Sequence, residues 1–314
     1  MEKGAGYPDN MDRSQYNLIR VPRVQSYRGF IFASLNDDVL PLEEHLGPAT
    51  TMIDLLVDQS EQGLEVLKGY STYTFRGNWK IQAENGVDGY HLYATHGNYV
   101  QTTEHRRKLK GDADNVKAMQ VQGITKTKGG FFDLGHGHVV LWGDFPNPVD
   151  RPGWPLMDVY KERFGENRAH WMVCRLRNLL LYPNVFLMDQ TSTQIRVFRP
   201  LSVDETEVTI YGIAPVGEDP KDRAHRIRQW EDFFNASGMA TPDDIMEFKQ
   251  SQIAFMGKLA RWNDLTRGLE HLDLEHNPEE ADKLGIRVNS SGEKLEDEGI
   301  MLAQHRYWMD VMSR

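Results

Sequence analysis

Cysteine is almost missing: the 314 residues include one, Cys174. A single thiol excludes an internal disulfide and any all-cysteine zinc or iron–sulfur site within these residues, and it fits a reducing, cytoplasmic setting. No apolar stretch approaches the roughly 18 residues that a spanning helix needs. The opening Met1-Glu2-Lys3-Gly4-Ala5-Gly6-Tyr7-Pro8 lacks the apolar core of a signal peptide. Positive charge is scarce as well, with 36 Lys and Arg against 46 Asp and Glu for a net charge of -10. That balance argues against nucleic acid, whose phosphates demand a basic surface. One basic run, His105-Arg106-Arg107-Lys108-Leu109-Lys110, reads as a solvated loop. No Gly-x-Gly-x-x-Gly follows a predicted strand and no Walker-type loop occurs, so nucleotide binding has no support. There is no Gly-x-Ser-x-Gly elbow, and Cys174, close to Val173 and Leu176, reads as core.

What is present is ordinary globular composition, 39% hydrophobic and 26% charged, with no internal repeat and no compositional break. One domain over residues 1–314 is expected. Tyr27–Leu35 reads as a strand, residues 40–60 as helix, and Leu64–Lys68 with Ser71–Phe75 as a strand pair. Asn78 is a plausible cap for a helix that carries Trp79, Ile81 and the segment up to His96. Residues 97–129 have no period and predict a long irregular segment. Phe131–Phe145 reads as strand and Leu156–Leu180 as helix. Val185–Asp189, Gln194–Arg199 and Glu207–Ile213 follow as strands, with Ile195/Val197 and Val208/Ile210 alternating against polar neighbours. Asp219–Asn235 is helical, Thr241 caps a further helix with Pro242 at its first position, and a last helix covers Glu296–Met312. Without a βαβ rhythm the class is α+β.

The chemistry concentrates in Asn85-Gly86-Val87-Asp88-Gly89-Tyr90-His91-Leu92-Tyr93-Ala94-Thr95-His96. Paired imidazoles and a distant carboxylate make a 2-His-1-carboxylate site, which leaves one face of a metal open. A five-residue step turns the second ring through about 140° on an ideal helix, so His91 and His96 converge only if the helix distorts or ends between them. Asp88 lies one turn before His91, in reach of a ligating ring. Asp243, Asp244 and Asp189 all remain open as the carboxylate: the first two suit a helix start, and the third is a charge in an apolar strand. His136 and His138 form a second possible cluster, read as structural.

The Asn78–His96 run resembles the mononuclear iron segment of the large (alpha) subunits of Rieske non-haem iron ring-hydroxylating dioxygenases. So do Asn178-Leu179-Leu180-Leu181-Tyr182-Pro183-Asn184-Val185, Met188-Asp189-Gln190-Thr191-Ser192-Thr193-Gln194-Ile195-Arg196-Val197 and Phe233-Phe234-Asn235-Ala236-Ser237-Gly238-Met239-Ala240-Thr241-Pro242-Asp243-Asp244. They look most like the benzoate, toluate, halobenzoate and anthranilate branch. The resemblance implies a helix-grip catalytic domain, a curved antiparallel sheet with helices folded over it. It implies His91, His96 and Asp244 as ligands of mononuclear Fe(II), and Asp88 as the link that brings in electrons. Asn85, Gly89, Leu92, Asn184, Phe234 and Ala240 fall where the family lines its substrate pocket. An aromatic substrate and O2, a beta subunit in an α3β3 assembly, and a reductase or ferredoxin are implied as partners. The 2Fe–2S Rieske cluster is expected only in an N-terminal domain that these residues do not include. Gly97 stands where benzoate-type members usually place tryptophan, which implies a different or roomier pocket. A helix-grip binding module for an apolar aromatic ligand and a zinc hydrolase are the competing expectations.

Overall fold

A turn that the sequence pattern conceals divides the first expected strand. Arg28 and Gly29 both take positive φ, 50° and 91°, the combination that a two-residue hairpin turn requires. Two short strands result, β1 (Arg23–Tyr27) and β2 (Phe30–Ser34), paired antiparallel from Arg23↔Ser34 to Tyr27↔Phe30. This computed structural model describes residues 6, 8, 10–109, 121–190, 192–259 and 261–314. The hairpin belongs to a first unit, Met1–His45, distinct from a second, Leu46–Arg314. Residues 40–60 are helical as expected, but in two pieces, α1 (Leu42–Leu46) and α2 (Ala49–Val57).

The second unit is built on an antiparallel sheet. Its strands are β3 (Leu64–Val66), β4 (Ser71–Phe75), β5 (Gly129–Gly135), β6 (His138–Asp144), β7 (Arg175–Leu181), β8 (Val185–Asp189), β9 (Thr193–Ser202), β10 (Glu205–Pro215) and β11 (Ser290–Gly292). They run in the order β11-β5-β6-β7-β8-β9-β10-β3. The expected β3–β4 pairing does not form; each pairs instead with its own stretch of β10. The remaining helices are α3 (Trp79–Asn85), α4 (His91–Thr95), α5 (Gly97–Lys108), α6 (Met157–Val173), α7 (Pro220–Gln229), α8 (Thr241–Phe255), α9 (Glu279–Asp282) and α10 (Gly299–Met312). The class is α+β, as expected.

Side chains alternate across a strand, and here the two faces meet different surroundings. Leu141, Leu176, Leu180, Phe186, Met188, Phe198, Val208 and Ile210 join one buried cluster with Ala83 before α4, Phe248 of α8 and Ile300 of α10. On the other face Trp142 and Phe132 meet Trp171 of α6, with ring centroids 5.1 and 6.0 Å away. Arg177 and Asp189 are cross-strand partners on that second face. Asp189 accepts from Arg177 Nη2 and, at 2.8 Å, from Arg151 Nη2.

Further expectations change. The strand expected over Phe131–Phe145 is a hairpin, β5 turning at His136 and Gly137 into β6. The segment 97–129 is not irregular throughout, since it holds α5 and a 3-10 helix, Val121–Lys126; residues 110–120, with Lys110 of the basic run, lie outside the described residues. Only Tyr99 and Thr103 of α5 are buried, so the helix has no apolar stripe to betray it. His105–Lys108 form its last turn, where cations suit the helix dipole. The helix expected to reach Leu180 ends at Val173, because Arg175–Leu181 is a strand buried at every position; a short apolar run is compatible with either element. In β9 the inward residues are Gln194, Arg196 and Phe198, while Ile195 and Val197 are half-buried. Val208 and Ile210 of β10 are buried as expected.

Candidate metal centre

Asn78 caps α3, its side chain accepting from the Lys80 amide at 3.1 Å. The chain then leaves the helix through two glycines that neighbours crowd. A Cβ at Gly86 would stand 2.3 Å from Phe186 Cζ, and one at Gly89 2.5 Å from the Leu295 carbonyl oxygen. α4 begins at His91 and stops at Thr95; His96, with φ -98° and ψ 26°, separates it from α5. That break cancels the angular mismatch of a five-residue step. The rings of His91 and His96 face each other edge-on, with centroids 5.1 Å apart.

The carboxylate comes from the first turn of α8. Thr241 does not cap this helix: the cap position is Ala240, and the Thr241 hydroxyl donates to the Phe234 carbonyl at 3.0 Å. Asp244 is buried, with Oδ1 3.5 Å from His91 Nε2 and 3.3 Å from His96 Nε2. Donors about 2.1 Å from one ion and at right angles around it stand about 3 Å apart. His91, His96 and Asp244 therefore form a donor set able to hold a single metal ion. Asp243 is displaced from it, its Oδ2 lying 3.8 Å from the other ring nitrogen of His96. Asp189 is excluded, being on the opposite sheet face among arginines.

Behind the donors, His91 Nδ1 lies 3.2 Å from Asp88 Oδ2, and Asp88 also accepts from the amides of Tyr90 and His91. This contact leaves Nε2 as the nitrogen of His91 that would face an ion held by the three donors. Asn85 Nδ2 donates to Asp244 Oδ1 at 3.3 Å. Burial would raise the Asp88 carboxyl, but the hydrogen bond and charge of His91 hold it below the ordinary value. Burial would lower His91, yet its bond to Asp88 and the charge of Asp244 lift it above the usual imidazole range. Asp244 is raised by burial and, more strongly, lowered by His96, His91 and Arg196.

The donors open onto a cavity whose lining includes Asn85, Gly89, Leu92 and Phe234. Asn184 does not reach it. That residue follows the β7 strand end, about 13 Å beyond the Asn178–Met188 pair at about 3.3 Å per residue. Ala240 is also absent from the lining; it is buried behind Phe233, donating its amide to the Phe233 carbonyl at 3.3 Å. Asn178, Met188, Gln190 and Arg196 line the cavity without having been anticipated. Inward alternation along β7–β9 was the available signal, and it was masked because the buried positions of β9 are polar. Thr191 lies outside the described residues. Gly97 is not a lining residue, and a side chain there would meet open space.

A larger cavity of about 360 Å³ lies away from these donors, between β5, β11 and α10, with Asp133, His136, Arg306 and Tyr307 on its walls. His138 is structural, its Nδ1 accepting the Tyr182 amide at 2.9 Å. Among the described residues no helix is long and apolar enough to cross a membrane.

Residues 65–260 match the family described as ring hydroxylating alpha subunit (catalytic domain). The chain is 49% identical over 99% of its length to toluate 1,2-dioxygenase subunit alpha of Pseudomonas putida, covering 67% of that protein. It is 46% identical over 98% of its length to the 2-halobenzoate 1,2-dioxygenase large subunit of Burkholderia cepacia, covering 66% of it. The chain thus spans about two thirds of the length of these relatives. Naphthalene 1,2-dioxygenase from Rhodococcus sp., solved with indole bound, shares the fold with a TM-score of 0.79 at 20% identity, covering 98% of this chain and 70% of that one. Sequence match and donor geometry agree: the chain belongs to the ring-hydroxylating alpha subunit family, through its catalytic domain.

Proposed function

We propose that residues 1–314 form the mononuclear-iron catalytic domain of an aromatic ring-hydroxylating dioxygenase. Its reaction is the addition of both atoms of O2 to a benzoate- or anthranilate-like ring, giving a cis-dihydrodiol or catechol. The observation that carries this reading is the convergence of His91 at the start of α4, His96 at the α4–α5 break and Asp244 in the first turn of α8, with Asp88 behind His91. Two imidazoles and one carboxylate suit Fe(II) and leave positions open. Bound iron would supply the oxygen activation and redox chemistry.

The chain supplies geometry. Asp88 orients His91, and Asn85 donates to the ligating oxygen of Asp244, which restrains that carboxylate. Leu141, Leu176, Phe233 and Phe234 present apolar surface that excludes water and holds the ring flat. Asp88 is 20% exposed at its side chain, and it is the residue that links the site to a Rieske 2Fe–2S centre on a neighbouring subunit. The assembled enzyme draws electrons from a reductase or ferredoxin and includes a beta subunit.

Metal analysis of protein produced with iron and zinc both present tests the reading. We expect about one iron per chain, lost in Asp244→Ala. Full iron in that variant would overturn the ligand set. Zinc in place of iron would favour a hydrolase, and arene binding without any metal uptake would favour a binding module.

A further inference from the structure

Among the described residues, Arg151, Arg175, Arg177, Arg196 and Arg226 are buried to 7% exposure or less. Four of these are neutralised. Asp189 serves Arg151 and Arg177, Asp144 and Glu280 serve Arg175, and Glu218 serves Arg226. Arg196 differs. Among the described residues no carboxylate forms an ion pair with it; its Nε is buried without a hydrogen-bond partner, and its guanidinium lies over the face of Phe234, 5.6 Å from Cζ. A permanently charged group in apolar surroundings is costly to hold unpaired. Packing does not call for it either, since its cross-strand partners are Phe186 and Ile210, both fully buried hydrocarbon.

Arg196 lines the same cavity as the metal donors, and it is the sole arginine or lysine among the described lining residues. The acids that share the cavity are otherwise engaged. Asp88 accepts from Tyr90 and His91, and Asp244 stands against His91 and His96; the charge of Arg196 also acts on Asp244, after those of the two histidines and without an ion-pair contact. The remaining wall is largely hydrocarbon, including Leu141, Leu176, Met188 and Phe234. A cationic fork within an apolar slot matches a flat ring bearing one carboxylate.

We propose that Arg196 is the specificity anchor of this site: its guanidinium takes the carboxylate of an aromatic acid while the ring lies along the apolar wall toward His91, His96 and Asp244. The assignment rests on the oxygenase reading of the site and adds which substrate group is recognised, and by which residue. A neutral arene leaves the buried guanidinium unpaired, so discrimination favours acids.

Calorimetric titration of the iron-loaded protein with benzoate and with benzamide, its neutral isostere, tests the assignment. Charge-assisted hydrogen bonds predict benzoate binding roughly 10- to 100-fold tighter than benzamide. Arg196→Gln removes that preference and leaves benzamide affinity within roughly threefold, while Arg196→Lys keeps part of it. A preference that persists in full in Arg196→Gln overturns the anchor. So does wild-type protein that binds both ligands alike, a result that requires no variant to fold. Iron content of the same samples separates the two readings. Iron without benzoate preference refutes the anchor alone; an Arg196-dependent preference in protein that takes up no iron supports the anchor and refutes the oxygenase.

Discussion

Replacing Asp189 by asparagine should unfold the protein more easily and leave metal binding untouched. The Asp189 side chain is 6% exposed. It accepts from Arg177 Nη2, from Arg151 Nη2 at 2.8 Å, from Thr193 Oγ1 at 3.2 Å and from Gln59 Nε2 at 3.3 Å. Asparagine keeps the volume, so no cavity cost enters; what is lost is the charge that offsets two buried guanidinium groups. Breaking a buried pair from one side costs about 3–5 kcal/mol, which at about 2 °C per kcal/mol lowers Tm by about 6–10 °C. Urea denaturation at neutral pH measures the difference directly. Burial raises the Asp189 carboxyl, but Arg151 and Arg177 more than compensate and hold it below the ordinary value. Its stabilisation is therefore complete above the unfolded value of about 3.9 and fades as pH falls toward the folded one. The gap between wild type and Asp189→Asn should narrow over that acidic range. A loss below about 1 kcal/mol at neutral pH would refute the reasoning. Loss of bound metal with stability intact would return Asp189 to the ligand set.

Asp88→Ala should retain iron and lose turnover in the complete enzyme; normal coupled turnover would remove the relay role. Gly86→Ala should cost about 1–3 kcal/mol by overpacking, since the new methyl meets the Phe186 ring at 2.3 Å, and Phe186→Leu in the same chain should recover part of the loss in a thermal melt. The His170 ring, 3.1 Å from Asp144 Oδ1, is lifted to about 9 chiefly by that hydrogen bond. Its contribution is full below the unfolded value of about 6.5 and disappears as pH rises through the folded one. An NMR titration should place its midpoint near the folded value and return it toward normal in Asp144→Asn; a wild-type midpoint at the unfolded value would discard the pair.

The histidine pair was legible from its spacing only as a condition, that the helix break between the rings. The break at His96 supplies it, and Gly97, just past the cap of α4, is the one local sign of a stop. The third ligand was not legible from residues alone. Asp189, Asp243 and Asp244 are each plausible by local context, and a contact between α8 and the α4–α5 junction depends on the whole sheet between them. Asn78, β8 and β10 could be read because cap chemistry, a short apolar run and period-2 alternation are all local signals. Arg196 could not: in β9 the apolar Ile195 and Val197 mimic an inward face, whereas the cavity side is polar. Helix α5 was invisible for the opposite reason, having almost no buried residue to set a period.

Strands β7 to β9 set cavity-lining residues on one surface and a buried charge network on the other, one residue out of step. Such a layout separates two evolutionary tasks. Exchanges at 178, 188 and 196 can reshape the cavity wall while the scaffold ions at 175, 177 and 189 stay put. An insertion of one residue inverts the arrangement, handing arginines to the ligand and hydrocarbon to the ions. Diversification of this site should accordingly proceed through replacements within these strands, with length changes confined to the connections between them.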